Sequence, residues 1–95
     1  MSGKNIPVAV FRLGQIVATP NALSKLSQDD ILRGIKRHQS GDWGDVDTHD
    51  REANDSALTG GTRLFSVYHS ARGLKFWIIT EADRSVTTVL MPEDY

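Results

Sequence analysis

From Thr62 onward the chain alternates apolar and polar residues in three short runs, TRLFSVYH, LKFWIIT and SVTTVLM, separated by SARG and EADR. A period of two is the signature of half-buried strands, and short polar breaks between such runs predict hairpins. The segment is therefore expected to fold as a three-stranded antiparallel meander. Three strands are stable only when one face is covered, so the residues upstream must provide that cover.

Residues 6–18, IPVAVFRLGQIVA, are apolar and β-branched around Gly14. They predict one strand with a bulge at Leu13–Gly14, or two short strands across a turn there. Thr19 followed by Pro20 is a helix start, a capping hydroxyl ahead of the ring at the first helical position. Ser27, with Asp30 three residues on, announces a second helix over about residues 28–39. That helix places Ile31, Leu32 and Ile35 on one face and Arg33, Lys36, Arg37 and His38 on the rest. Gly34 inside it costs about 1 kcal/mol relative to Ala, a cost that a close helix–sheet contact would explain. A third helix, HDREANDSAL, is capped by Asp47 or Thr48 and stops at Gly60–Gly61, with a narrow apolar stripe of Ala53, Ala57 and Leu58. The expected fold is a single α+β domain over residues 1–95. It has an N-terminal strand, two or three helices and the meander, with the helices on one sheet face.

Composition narrows the function classes. With 39% hydrophobic and 24% charged residues the chain is globular rather than disordered. The absence of cysteine excludes disulfides, thiol nucleophiles and thiolate metal sites. No apolar run approaches the roughly 20 residues a bilayer requires. MSGKNIPVAVFRLG lacks the apolar core and cleavage site of a secretory signal, so the expected address is cytoplasmic. A net charge of −1 argues against a dedicated nucleic-acid binder. The charge is nevertheless uneven: Asp42, Asp45, Asp47, Asp50, Glu52 and Asp55 crowd one segment against Arg51 alone. His38, His49 and His69 have no metal-ligand spacing, and the aspartates of GDWGDVDTHD miss the calcium-loop pattern. Neither a metal nor a cofactor is expected, and those aspartates read as caps and solubilising charges.

Assuming four-residue turns at residues 70–73 and 81–84, antiparallel pairing sets His69 opposite Leu74 and Thr80 opposite Ser85. One face then carries Phe65–Ile78–Thr87, Val67–Phe76–Val89 and His69–Leu74–Met91, the floor for the helices. The other carries Leu64–Ile79–Val86, Ser66–Trp77–Thr88 and Tyr68–Lys75–Leu90. On this outward face Trp77, Tyr68, Lys75 and Thr88 form a candidate partner-binding surface, because Trp and Tyr are enriched at interface hot spots. Trp and Thr also favour strands for packing alone, with the N-terminal segment as cover. A second candidate surface is the acidic segment at Trp43, Asp42 and Asp45, whose charge would steer it to a basic channel on a partner. A catalytic alternative is metal-free RNA cleavage by His69, Tyr68, Arg72 and Lys75, which offer a base, an acid and cations at one end of a hairpin. Glu81 is too far to join them, at roughly 23 Å along the strand.

Two blocks, GDWGDVDTHDREAN and RLFSVYHSARGLKFWIITEADRSVTTVLMPEDY, together with the leading LGQIVATPNAL, resemble a family of small plasmid-related proteins of bacterial plasmids and integrative elements. The likeness spans most of the chain and brings no catalytic residues with it. It implies a cytoplasmic accessory protein of a mobile element. It further implies a non-enzymatic inhibitor of a host defence system, of anti-CRISPR or anti-restriction type, that acts on a protein partner such as a nucleic-acid-processing complex. Helices followed by a meander ending in TTVLMP are also similar to the barnase/RelE class of metal-independent ribonucleases, although the basic active face of such toxins is missing here.

Overall fold

Each helix begins where its capping chemistry places it. In the computed structural model, which describes residues 9–95, Thr19 Oγ1 accepts the Ala22 N–H at 3.0 Å and opens α1 (Pro20–Lys25). Ser27 and Asp30 form a reciprocal capping box at the head of α2 (Gln28–Gln39), with bonds of 3.0 and 3.1 Å. Asp47 accepts the Asp50 N–H at 2.7 Å to start α3 (Thr48–Gly60), which ends on Gly61 in the left-handed region at φ 77°. Each such N-cap contributes about 1 kcal/mol. Among the described residues no helix is long and apolar enough to cross a membrane.

The strands are β1 (Gln15–Ala18), β2 (Leu64–His69), β3 (Lys75–Thr80) and β4 (Val86–Leu90), in the order β1-β4-β3-β2. The fold is α+β as expected and the meander is present, but the sheet has four strands and is mixed, because β1 runs parallel to β4. The expected N-terminal strand is shorter than its apolar run. Its residues 6–8 lie outside the described residues, and the chain turns at Gly14 (φ 65°) before β1 begins. A Cβ there would stand 2.3 Å from the Ser85 carbonyl oxygen, so only glycine fits.

The register differs from expectation by one residue between β2 and β3. The structure pairs Tyr68 with Phe76 and His69 with Lys75. The cause is the turn. Ser70 N–H donates to Leu74 O at 2.8 Å, making these two a pair and leaving a three-residue loop, with Gly73 (φ 87°) at its left-handed corner. Between β3 and β4 the shift is two residues, with Thr80 opposite Thr87. A shift of two preserves faces and a shift of one inverts them. Thus β3 and β4 present the faces read from the sequence, and β2 is turned over.

On the helix side, Ala22, Leu26 and Ile35 pack with Tyr68, Phe76, Ile78, Val89 and Met91. Gly34 makes the expected close contact, since a Cβ there would lie 3.0 Å from the Phe76 ring and 3.1 Å from Ile78. His38, expected among the solvated side chains of α2, is wholly buried, whereas Leu32 is half exposed. Ile31, Ile35 and His38 follow the i, i+4, i+7 stripe, and Leu32 lies off it.

A hydroxyl chain places a proton on Nε2 of the buried imidazole. Thr87 Oγ1 donates to Leu13 O at 2.7 Å, so it must accept from Thr80 Oγ1, also at 2.7 Å. Thr80, having donated its proton, accepts from His38 Nε2 at 2.9 Å. Nε2 therefore carries a proton; burial disfavours a second one, so Nδ1 accepts from the Ser66 hydroxyl at 2.6 Å and the ring is the neutral Nε2–H tautomer. Burial, with a smaller effect from the Arg84 charge, lowers its pKa to about 3.

At the β2 edge, Asn54 of α3 donates to Phe65 O at 2.7 Å and accepts from Phe65 N–H at 3.0 Å. Val67 is bridged by Trp43 O and Asp45 N–H at 3.1 and 2.8 Å. This edge is closed to further strands.

Candidate functional site

Strand alternation points Phe65, Val67 and His69, then Lys75, Trp77 and Ile79, then Val86, Thr88 and Leu90 away from α1 and α2. The α3 helix stands along one rim of this outer face, and the Pro92–Asp94 turn that follows β4 stands along another. Between them lies an open cleft of about 330 Å³, floored by Phe65, Trp77 and Ile79 and rimmed by Asp50, Arg63 and Tyr95.

The floor is pre-formed. Phe65 meets Trp77 edge to face at 5.0 Å and 86°, and Tyr95 meets it at 5.6 Å and 65°. Aromatic pairs in this range contribute about 0.5–1.5 kcal/mol each beyond their burial. The Arg63 guanidinium lies 5.3 Å over the Tyr95 ring and donates to its hydroxyl at 2.6 Å. Tyr95 is held in place by the turn before it. Asp94 accepts from Thr19 Oγ1 at 2.7 Å and from Met91 N–H at 3.0 Å, and Glu93 pairs with Lys25 at 2.9 Å. Those partners, Thr19 first for Asp94 and Lys25 first for Glu93, hold both carboxyls below their ordinary pKa. The cleft offers an edge-to-face aromatic floor, a cation and a carboxylate. That inventory suits an apolar or aromatic side chain with polar flanks, and the described residues that line the cleft set no nucleophile beside a base.

The residues singled out from the sequence are divided by the sheet. Trp77, Lys75 and Thr88 share the outer face, with Trp77 in the cleft floor, Thr88 beside Ile79 and Lys75 exposed at the far end. Tyr68 does not join them. It faces the helices at 2% exposure, donates its hydroxyl to Asp42 O at 2.5 Å, and its pKa is pushed up by burial. Trp43 is likewise buried, with its indole N–H on Asp55 at 3.0 Å, so the acidic segment presents no indole to a partner. Asp42 forms a two-pronged ion pair with Arg37 at 2.8 and 3.2 Å, which holds its carboxyl below the ordinary range.

Of the catalytic alternative, His69 and Lys75 are cross-strand neighbours. Arg72 is exposed in the turn, and Tyr68 is on the opposite face. Asp45 holds His69 Nδ1 at 2.8 Å. The hollow of about 30 Å³ that His69 borders lies between α2 and the helix-facing side of the sheet, and neither Lys75 nor Arg72 lines it.

Sequence reasoning missed Arg63, Phe65 and Tyr95. Phe65 was assigned to the wrong face by the slipped register, and no spacing rule brings residues 63 and 95 together. Comparisons with protein-family models, with curated proteins and with solved structures find no match to this chain.

Proposed function

We propose that this is a non-enzymatic binding protein that captures a protein partner through the cleft on its outer sheet face. The observation that carries the reading is the meeting of Trp77, Tyr95 and Arg63 around one concave apolar floor. Trp, Tyr and Arg are the residue types that dominate interface energetics when gathered in a pocket. In keeping with the family likeness of the sequence, the partner is a component of a host defence or other nucleic-acid-processing complex, and the protein is an inhibitory accessory of a bacterial mobile element. Lys75 extends the surface toward the His69 end.

The test is affinity capture from the bacterial host followed by mass spectrometry, comparing wild type with an Arg63→Glu, Tyr95→Ser variant. Both side chains are exposed, so the variant should fold as wild type does, its thermal midpoint lowered only by loss of the Trp77–Tyr95 contact, about 0.5–1.5 kcal/mol. The expected result is a partner held by wild type and weakened at least a hundredfold, about 2.7 kcal/mol, in the variant. Equal capture by both proteins would remove the cleft from the interface.

One observation favours a second reading. Asp45 holds His69 Nδ1 beside Lys75, and among the described residues nothing bonds Nε2, an arrangement able to accept a proton from an RNA 2′-hydroxyl. It predicts RNA cleavage that survives EDTA and is lost in His69→Ala. RNA left intact by micromolar protein would end that reading.

A further inference from the structure

Among the described residues β1 pairs on one side only, so it is the sheet's other edge, built unlike the closed edge at β2. Gln15 N–H bonds Ser85 O at 2.9 Å and Thr19 N–H bonds Val89 O at 3.0 Å, so the odd-numbered residues of this stretch face β4. The backbone groups of Ile16 and Ala18 therefore point away from the sheet. The strand QIVA contains no proline and no charge, the usual guards of an open edge. On its helix side lies an apolar hollow of about 470 Å³ lined by Ile16, Leu23, Leu26, Ile31, Leu32 and Ile35. Ile16 is 47%, Leu23 62% and Leu32 50% exposed. Together they present on the order of 300 Å² of apolar surface, the lower end of the largest patches on monomeric proteins, which are often functional.

We propose that β1 and this hollow form the interface of a symmetric homodimer, with β1 pairing antiparallel to β1 of a second copy about a two-fold axis through Val17. In that register Ile16 of one copy exchanges backbone hydrogen bonds with Ala18 of the other, and the reverse, so every outward group of the strand is used. Val17 meets its own counterpart at the non-hydrogen-bonded position, where facing side chains approach most closely.

An isologous contact requires a patch that complements itself. An open strand edge does so through its backbone, and a hollow of aliphatic side chains does so through burial. A standard interface buries about 800 Å² per partner. The apolar patch accounts for over a third of this, and the paired strands add to it. The four-stranded sheets would join into one sheet of twice that number. The two Trp77 clefts would then be five strand spacings apart, roughly 24 Å, and both would stay open. The inference does not depend on what the clefts bind.

The test is analytical ultracentrifugation of the full chain up to about 100 μM, a range that detects a dimer of micromolar affinity. Wild type should sediment at twice the 10.5 kDa chain mass. Leu32→Glu and Leu23→Lys alter exposed side chains and should each weaken association at least tenfold while leaving the circular dichroism spectrum unchanged. Hydrogen exchange supplies the second readout: the Ile16 and Ala18 amides should be protected in wild type and should exchange fast in Leu32→Glu. A monomer at the highest concentration overturns the proposal, including the case in which a different protein covers the patch. A dimer indifferent to both substitutions, or one in which those two amides exchange freely, overturns it equally.

Discussion

Mild acid should destabilise this protein through His38. The imidazole is wholly buried, which keeps it neutral, and the hydroxyl chain from Leu13 O through Thr87 and Thr80 places its one proton on Nε2. Its pKa falls from 6.5 to about 3, by burial first and the Arg84 charge second. Below pH 6.5 the unfolded chain therefore takes up a proton that the folded chain refuses. The unfolded state binds more protons, so stability is full above that value and declines as pH falls toward 3. At 1.36 kcal/mol per unit, going to about pH 5 costs about 2 kcal/mol, against a total of 5–15 for a typical domain.

The carboxylates do not cloud this window. Asp30 is held low chiefly by the Ala71 N–H and Asp42 chiefly by Arg37, so both lose stability only below the ordinary carboxylate range, about pH 4. The assay is urea unfolding between about pH 7.5 and pH 5 for wild type and for His38→Gln, whose amide keeps a donor and an acceptor but does not titrate. The wild-type midpoint should fall by roughly 1 M across this range. The variant should be weaker at neutral pH and nearly flat. Parallel slopes in the two proteins would refute the reasoning, because the loss would then arise elsewhere.

Two further substitutions test the packing that positions the cleft. Asn54→Ala strips both bonds from the Phe65 backbone at a buried edge and should cost about 2–4 kcal/mol, read as a lower thermal midpoint and faster exchange of the Phe65 amide. Gly34→Ala gains about 1 kcal/mol of helix propensity but drives a Cβ to 3.0 Å from the Phe76 ring. Overpacking of this kind costs about 1–3 kcal/mol, so urea unfolding should show a net loss, and a more stable variant would mean that the ring yields.

What could be read from the sequence depended on whether a local chemistry declared it. Thr19, Ser27–Asp30 and Asp47 each name a helix start within three residues, and all three starts are where they were expected. The β1–β4 pairing joins segments some seventy residues apart, and a four-residue strand carries no pattern that names its partner. Tyr68 shows how sharply register decides function. Its phenol reads as an outward contact under a four-residue turn and as a core group under a three-residue turn. The deciding residues, Ser70 and Gly73, were in plain view. Ser70 Oγ takes the N–H of both Arg72 and Leu74, at 3.3 and 3.0 Å, and Gly73 occupies the left-handed position that a three-residue hairpin requires. Trp77 kept its place because β3 lies between two turns, and β2, not β3, was turned over. The surface that survives is accordingly the one centred on β3. Its remaining members, Arg63 and Tyr95, reach it from outside the strands, where alternation has nothing to say.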